Sequence, residues 1–434
     1  MLTSCLSELP SVATKATRRR FLAWAAGGSL AVVARALQAA GPETNTAEFR
    51  AHALGMLYGS AIGDALGGPI EFLESDAPTG LCAARRWPEQ RRLTPEICQA
   101  LASTIPLLEY ASLRPEAAPY GPWREHAPPG TITDDTRHKI ILLSAVQRAV
   151  QAERPLAVDD IARSFLDFHL ADDLSADLAT LVEEGLREYR LASRWVLGER
   201  NLALARPVER LWAGVDNCSG QMMFLPLAIP WAGSPDDTYA QVFALDFIDT
   251  PLAKDITAAI VAGIAASLSA SGLQRSPPGR WELLLQVMRE TDPYGFRDVP
   301  FAGRQLDRWM DTAERLAREA EGCPKRLYHL LETAGRPTYW WDAHFTLLVP
   351  LSMLHLTQFN PLAALHLTLD FGHDTDSYAQ LLGAWIGAVH GVDLFPAEWR
   401  AAVDRGLERD FAQRIEKWLD LLVQLPAGQA SDDR

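Results

Sequence analysis

Beyond its first forty residues the chain lacks any apolar run approaching the roughly 20 residues that a membrane-spanning helix needs, so no stable membrane span is expected in the mature protein. Cysteine is scarce. Cys5, Cys82, Cys98, Cys218 and Cys323 include no CxxC pair and no zinc-type spacing, which argues against a structural zinc site. An oxidising compartment permits a bridge, with Cys82 and Cys98 the nearest pair, and buried free thiols are the alternative. Basic charge is in deficit: 41 Lys and Arg stand against 55 Asp and Glu, for a net charge of −14. That balance argues against a surface for nucleic acid or an anionic membrane. A small anionic substrate stays possible, because a bound metal supplies a local positive field. Runs of β-branched residues with period-two alternation are few, which argues against a sheet.

What is present is a globular composition, 48% hydrophobic and 22% charged over 434 residues, enough to bury a substantial core. The N-terminus stands apart. Thr17-Arg18-Arg19-Arg20-Phe21-Leu22 precedes the uncharged run AWAAGGSLAVVA, and Ala34-Arg35-Ala36 offers a small-x-small cleavage site. A basic stretch followed by a short apolar one is an export signal, and twin arginines point to the Tat machinery. A short membrane anchor or an amphipathic helix is the competing reading. Residues 1–45 are therefore expected to be a Tat-type signal and linker, residues 46–425 a catalytic domain and residues 426–434 a flexible tail. The expected location is periplasmic or extracellular.

The rest reads as helix almost throughout, so an all-α fold is expected. Apolar positions such as Ile140, Ile141, Val146 and Val150 mark a helix that ends before Pro155, and Asp159 and Asp160 are candidate N-caps for the next one. Further amphipathic stretches lie near 177–197, 236–249, 253–271, 281–290, 305–321 and 346–357. Residues 73–130, rich in Pro and Arg, read as an irregular surface excursion. Glycine recurs every four residues at Gly55, Gly59, Gly63 and Gly67, and again at Gly383, Gly387 and Gly391. Each glycine costs a helix about 1 kcal/mol relative to alanine. A stripe of them on one face implies close packing of two helices in the centre of a bundle.

Two acidic, hydroxyl-rich clusters precede apolar helices: Thr131-Ile132-Thr133-Asp134-Asp135-Thr136 and His373-Asp374-Thr375-Asp376-Ser377. Helix capping accounts for one such residue per helix. Several carboxylates crowded together repel one another unless a cation lies between them. Carboxylates with hydroxyls suit hard divalent ions such as Mg²⁺, Mn²⁺ or Ca²⁺, and two clusters suit a pair of ions. A third stretch, GSAIGDALGGPIEF, places Asp64 in the glycine-striped helix and Glu71 just beyond it. Asp64 suits a supporting role toward backbone groups. Glu71 is a candidate for proton handling, or else a surface carboxylate.

Together, GMLYGSAIGDALGGPIEF, TDDTR and GHDTDSYAQLLGAWIGAVHG resemble, in order and wide separation, the signature segments of the ADP-ribosylglycohydrolase family. That family includes dinitrogenase reductase-activating glycohydrolase and the eukaryotic ADP-ribosylhydrolases. The stretch CSGQMMFLPLA followed by WAGSPDDTYAQ resembles a further family region. The resemblance implies a compact all-α bundle with two Mg²⁺ ions, or Mn²⁺ in their place, in a central cleft. By position it implies Thr133, Asp134, Asp135, Asp374, Asp376 and Ser377 as metal ligands and Glu71 as the catalytic residue. The implied activity is hydrolysis of a glycosidic bond in an ADP-ribosyl or related ribosyl conjugate, either a small molecule or an ADP-ribosylated protein. The alternatives are hydrolysis of another nucleotide or sugar conjugate and a non-catalytic binding role. Ser377 and His373 depart from the common pattern, which puts Thr at the first and Gly or Trp at the second. His373 is expected to fill space rather than line the pocket.

Overall fold

The computed structural model describes residues 46–72, 88–103, 128–168, 176–335 and 337–426. The export segment, Cys82, most of the 73–130 excursion and the tail from residue 427 lie outside the described residues. In chain order the helices are α1 (Ala47–Gly67), α2 (Pro95–Ala102), α3 (Asp134–Gln151), α4 (Val158–Asp167) and α5 (Ala176–Val196). The middle of the chain forms α6 (Ser219–Met223), α7 (Pro235–Leu245), α8 (Pro251–Ser267), α9 (Ala270–Leu273) and α10 (Pro277–Glu290). Then follow α11 (Gln305–Glu319), α12 (Pro324–Thr333), α13 (Ala343–Leu356), α14 (Pro361–Phe371), α15 (Thr375–His390), α16 (Ala397–Phe411) and α17 (Ile415–Leu422). Among the described residues no strand forms, and the single extended pairing is an isolated bridge between Asn217 and Asp342. The fold is all-α.

Local chemistry explains many of the helix starts. Thr46 Oγ1 accepts from Phe49 N at 3.1 Å and opens α1. The starts of α7, α8, α10, α12 and α14 carry proline in the first turn, where its missing N–H has no partner to lose. One expected cap is corrected. The N-cap of α4 is Ala157, and Asp160 lies inside the first turn. There its carboxylate accepts from Ala157 N at 3.0 Å and pairs with Arg154 at 2.6 Å.

The glycine stripes meet. A Cβ on Gly59 would lie 2.1 Å from the carbonyl oxygen of Gly383, and one on Gly383 2.0 Å from that of Gly59. The same contact joins Gly55 to Gly387, Gly63 to Ala379 and Gly67 to Asp376, so α1 and α15 run antiparallel with backbone against backbone. Gly391 keeps the contact, its carbonyl carbon 2.6 Å from where a Cβ on Gly55 would lie, but with φ 83° it ends α15 after His390 instead of extending it. This pair runs through a continuous core, with Ile62, Leu382, Trp385 and Ile386 fully buried. Its register decides where the chemistry falls. The last residue of α1 lies against the first turn of α15, so the acidic mouth of α15 opens beside Asp64 and Glu71.

Candidate active site

Asp64 belongs to the last turn of α1 and is fully buried. Its carboxylate accepts from Thr133 N at 2.9 and 3.2 Å and from Thr136 N at 2.9 Å. A carboxylate from another helix thus satisfies the free N–H groups that begin α3, a stabilising place for negative charge. Thr133 is the N-cap of α3 and its Oγ1 accepts from Asp135 N at 3.3 Å. With α3 capped in this way, the carboxylates of Asp134 and Asp135 are left for another purpose. The same holds at α15, where Asp374 occupies the N-cap position but its side chain accepts no capping hydrogen bond.

The acidic side chains converge. Oxygens of Asp134, Asp135 and Asp376 lie within 4.8 Å of one another, and so do oxygens of Glu71, Asp374 and Asp376. Asp376 is common to both triads. Ser377 Oγ joins them, 3.4 Å from Asp135 Oδ2. Glu71 is 3% exposed, which removes the surface-carboxylate reading. All of these residues line one pocket, and the buried Thr133 is not among its lining residues. Burial first, and then the charge of Asp376, push the Asp135 and Asp374 carboxyls well above the ordinary carboxylate range. Burial raises Asp134 to about 7 against the opposing pull of Arg137. Asp135 Oδ1 is buried with no hydrogen-bond partner in the fold. Crowded carboxylates held this way, with an orphaned oxygen among them, fit hard divalent cations coordinated by oxygen.

Sequence reading missed the cation beneath them. Lys139 is 1% exposed and donates to the Asp135 carbonyl and to Gln380 Oε1, both at 3.0 Å. Burial lowers its pKa to about 8 even though Asp135 and Asp64 favour the charged form. Gln380 also accepts from Ser60 Oγ at 2.9 Å, which ties α1, α3 and α15 together under the pocket. The signal was faint, since Lys139 lies one helical turn beyond Asp135 but closes a polar stretch directly before the apolar run that starts at Ile140.

The opposite wall is aromatic. Tyr189, Trp212, Phe72 and Trp341 line the pocket, whose empty space measures about 730 Å³ and opens to solvent on one side. Tyr189 OH lies 2.6 Å from Ser219 Oγ. Trp341 stacks on Tyr339 at 5.0 Å and meets Phe72 edge-on at 6.0 Å. Trp212 and Ala213 both adopt left-handed backbone conformations (φ 47° and 57°), strained for residues with a side chain. From the CSGQMMFLPLA stretch, Cys218, Ser219 and Met222 also reach the pocket. Cys218 Sγ is 3.6 Å from Ser377 Oγ. Cys98, Cys218 and Cys323 are buried free thiols.

His373 fills space beside the site, as expected, and does more. Its ring stacks on Trp340 at 3.6 Å, and its Nε2 lies 3.2 Å from Glu332 Oε1. Its backbone is left-handed (φ 63°), and its carbonyl accepts from Phe72 N at 2.7 Å. That bond holds the Glu71 turn against the Asp374 turn.

No helix among the described residues is long and apolar enough to cross a membrane. A search of the curated proteins found no match. One solved structure that matches, described as an "ADP-ribosylglycohydrolase-related protein complex", is 19% identical, with a TM-score of 0.48. That match covers 88% of this chain and 98% of the other. The family model for ADP-ribosylglycohydrolase matches residues 45–431, which contain both acidic clusters and the glycine-paired helices. The chain belongs to the ADP-ribosylglycohydrolase family.

Proposed function

We propose that the pocket is the active site of a Mg²⁺-dependent hydrolase that cleaves a glycosidic bond of an ADP-ribosyl or related ribosyl conjugate. The observation that carries this reading is the pair of carboxylate triads sharing Asp376. A shared carboxylate between two oxygen-donor sets is the arrangement that two hard cations need. Asp134 and Asp135 would hold one ion and Asp374 the other, with Asp376 shared and Ser377 adding a hydroxyl, while Glu71 stays beside them as the proton-handling group. Thr133 Oγ1 keeps one lone pair beside its bonds to Asp135 N and Asp64 and is proposed as the further hydroxyl ligand. Bound divalent ions would supply a Lewis acid for the ribose hydroxyls and a more acidic water.

The chain's own residues account for the rest. Glu71 sits on the turn just past α1 with its carboxylate beside Asp374 and Asp376. It is proposed to take or return the proton of the attacking water or leaving group. The surrounding carboxylates favour positive charge developing at the anomeric carbon. The aromatic wall excludes water and offers flat surfaces to a substrate. Family membership supports a glycohydrolase. Residues 17–36 carry the accompanying proposal of Tat export to the periplasm or beyond.

The test is a hydrolysis panel of arginine-, serine- and O-acetyl-linked ADP-ribose and free nucleotides, with Mg²⁺ or with EDTA. Mg²⁺-dependent release of ADP-ribose is expected. Glu71→Gln should lower kcat on the best substrate by about 10²–10⁴-fold, the range for a lost acid–base group. Turnover of a different sugar or nucleotide conjugate alone would keep the hydrolase and remove the ribosyl assignment. No turnover, with metal still bound, would favour a binding protein.

A further inference from the structure

His138 follows Asp134 by one helical turn on α3, and both line the pocket. Its Nδ1 lies 2.7 Å from the Asp134 carbonyl oxygen. A carbonyl has no proton to give, so Nδ1 carries the hydrogen and the neutral ring presents a lone pair at Nε2. That Nε2 is buried and has no hydrogen-bond partner in the fold. The residue is 2% exposed, with its ring edge-on to Tyr189 at 4.9 Å and to Phe165 at 5.8 Å. Burial pushes its pKa down to about 3, which keeps the ring neutral.

A buried acceptor without a donor costs stability, because its hydrogen bonds to water are lost and not replaced. The ring contacts with Tyr189 and Phe165 do not use Nε2, and the bond to the Asp134 carbonyl accounts only for Nδ1. The explanation therefore lies with what enters the pocket. We propose that His138 Nε2 is a substrate-binding acceptor that takes a hydrogen bond from a hydroxyl or N–H of the bound ribosyl conjugate. The proposal rests on the ribosyl reading above. His138 and Asp134 line the same pocket one helical turn apart on α3, a rise of about 5.4 Å between their backbones, so a substrate held at the carboxylates has the histidine among its neighbours. A fixed neutral acceptor there selects for a donor on the substrate. An analogue lacking that donor leaves Nε2 buried and unpaired.

Titration calorimetry with ADP-ribose at saturating Mg²⁺ tests the assignment on wild type, His138→Phe and His138→Gln. His138→Phe is expected to weaken ADP-ribose binding by roughly 10-fold. His138→Gln, whose side-chain oxygen is again an acceptor, should recover most of that loss. Mg²⁺ affinity should stay unchanged in both, and the ligand-free His138→Phe protein should melt at or above the wild-type temperature. Equal ADP-ribose affinity in wild type and His138→Phe overturns this assignment alone. Parallel loss of Mg²⁺ affinity also overturns it, because His138 would then act by pinning Asp134. A wild type that binds no ADP-ribose overturns the ribosyl reading and this assignment with it. Should His138→Phe fail to fold, the ¹⁵N resonance of His138 Nε2 in the wild type decides. It moves on ADP-ribose addition if the lone pair is engaged, and an unmoved resonance overturns the proposal.

Discussion

Asp376 and Asp134 carry the same functional group a few ångströms apart, yet they are not equivalent. Asp376 belongs to both carboxylate triads, whereas Asp134 belongs to one. Asp376→Asn removes an anionic ligand from both sets at once, so it should weaken divalent-ion binding more than Asp134→Asn does. The loss should exceed the roughly 10–100-fold typical of an outer partner of a metal ligand. Mn²⁺ titration of the two variants checks this, and a smaller loss in Asp376→Asn would remove the bridging role. In the absence of metal the same substitution should leave the melting temperature unchanged or raised, since it relieves repulsion with Asp135 and Asp374. A metal-free Asp376→Asn protein that melts far below wild type would mark the carboxylate as structural. At this scale the convergence of carboxylates was legible in sequence because too many acidic residues stood at two helix starts for capping alone. The pocket's far wall was not, since Tyr189, Trp212 and Trp341 come from unrelated stretches and carry no local pattern.

Among elements, the α1–α15 pair sets the geometry. Gly383→Ala would place a methyl carbon 2.0 Å from the Gly59 carbonyl oxygen. Both sides of that contact are backbone, so no side chain can move aside and the helices must separate. Overpacking of this kind costs about 1–3 kcal/mol or more, which outweighs the ~1 kcal/mol that alanine gains over glycine in a helix. A lower melting temperature is expected, along with weaker metal binding, because the shift moves Asp376 relative to its neighbouring carboxylates. Gly279→Ala in α10 is the control. Its Cβ would meet nothing closer than 3.4 Å, the Arg275 Cβ, so that variant should melt at or slightly above wild type. Equal behaviour of the two variants would show that the stripe is incidental. The stripe itself was legible, because only close packing explains glycine at every fourth position of two helices. Its end was not: Gly391 keeps the spacing, yet its positive φ closes the helix. Asp160 misled in a similar way, since a residue fit for an N-cap serves equally well inside the first turn.

For the whole molecule, two sets of buried groups pull stability in opposite directions with pH. Burial lowers His344, His366 and His390 to about 4 and His138 to about 3. A histidine with a depressed folded pKa contributes stability that is present above the unfolded value of about 6.5 and is lost as pH falls. Burial raises Asp134 to about 7 and Asp246 to about 6, and pushes Asp135, Asp249 and Asp374 well above the ordinary carboxylate range. A carboxyl with a raised folded pKa contributes stability that is present at low pH and is lost as pH rises through the folded value. Below about pH 6.5 the two sets oppose each other. Above it the histidine contribution is complete and the carboxyl loss continues until about pH 8, where buried Lys139 begins to lose its proton in the fold and works the other way. The metal-free protein should therefore melt at a falling temperature from about pH 6.5 to 8, while saturating Mg²⁺ should abolish most of that fall by favouring the ionised carboxylates. Part should persist with Mg²⁺, because Asp246 and Asp249 lie outside the pocket's carboxylate triads, with the Asp249 carboxylate accepting from Gly220 N at 3.1 Å. Asp249→Asn should flatten that remainder without changing Mg²⁺ affinity. A metal-free melting temperature that is level or rising over this range, measured by calorimetry at fixed ionic strength, would mean that the carboxyls are already ionised and charge-compensated within the fold.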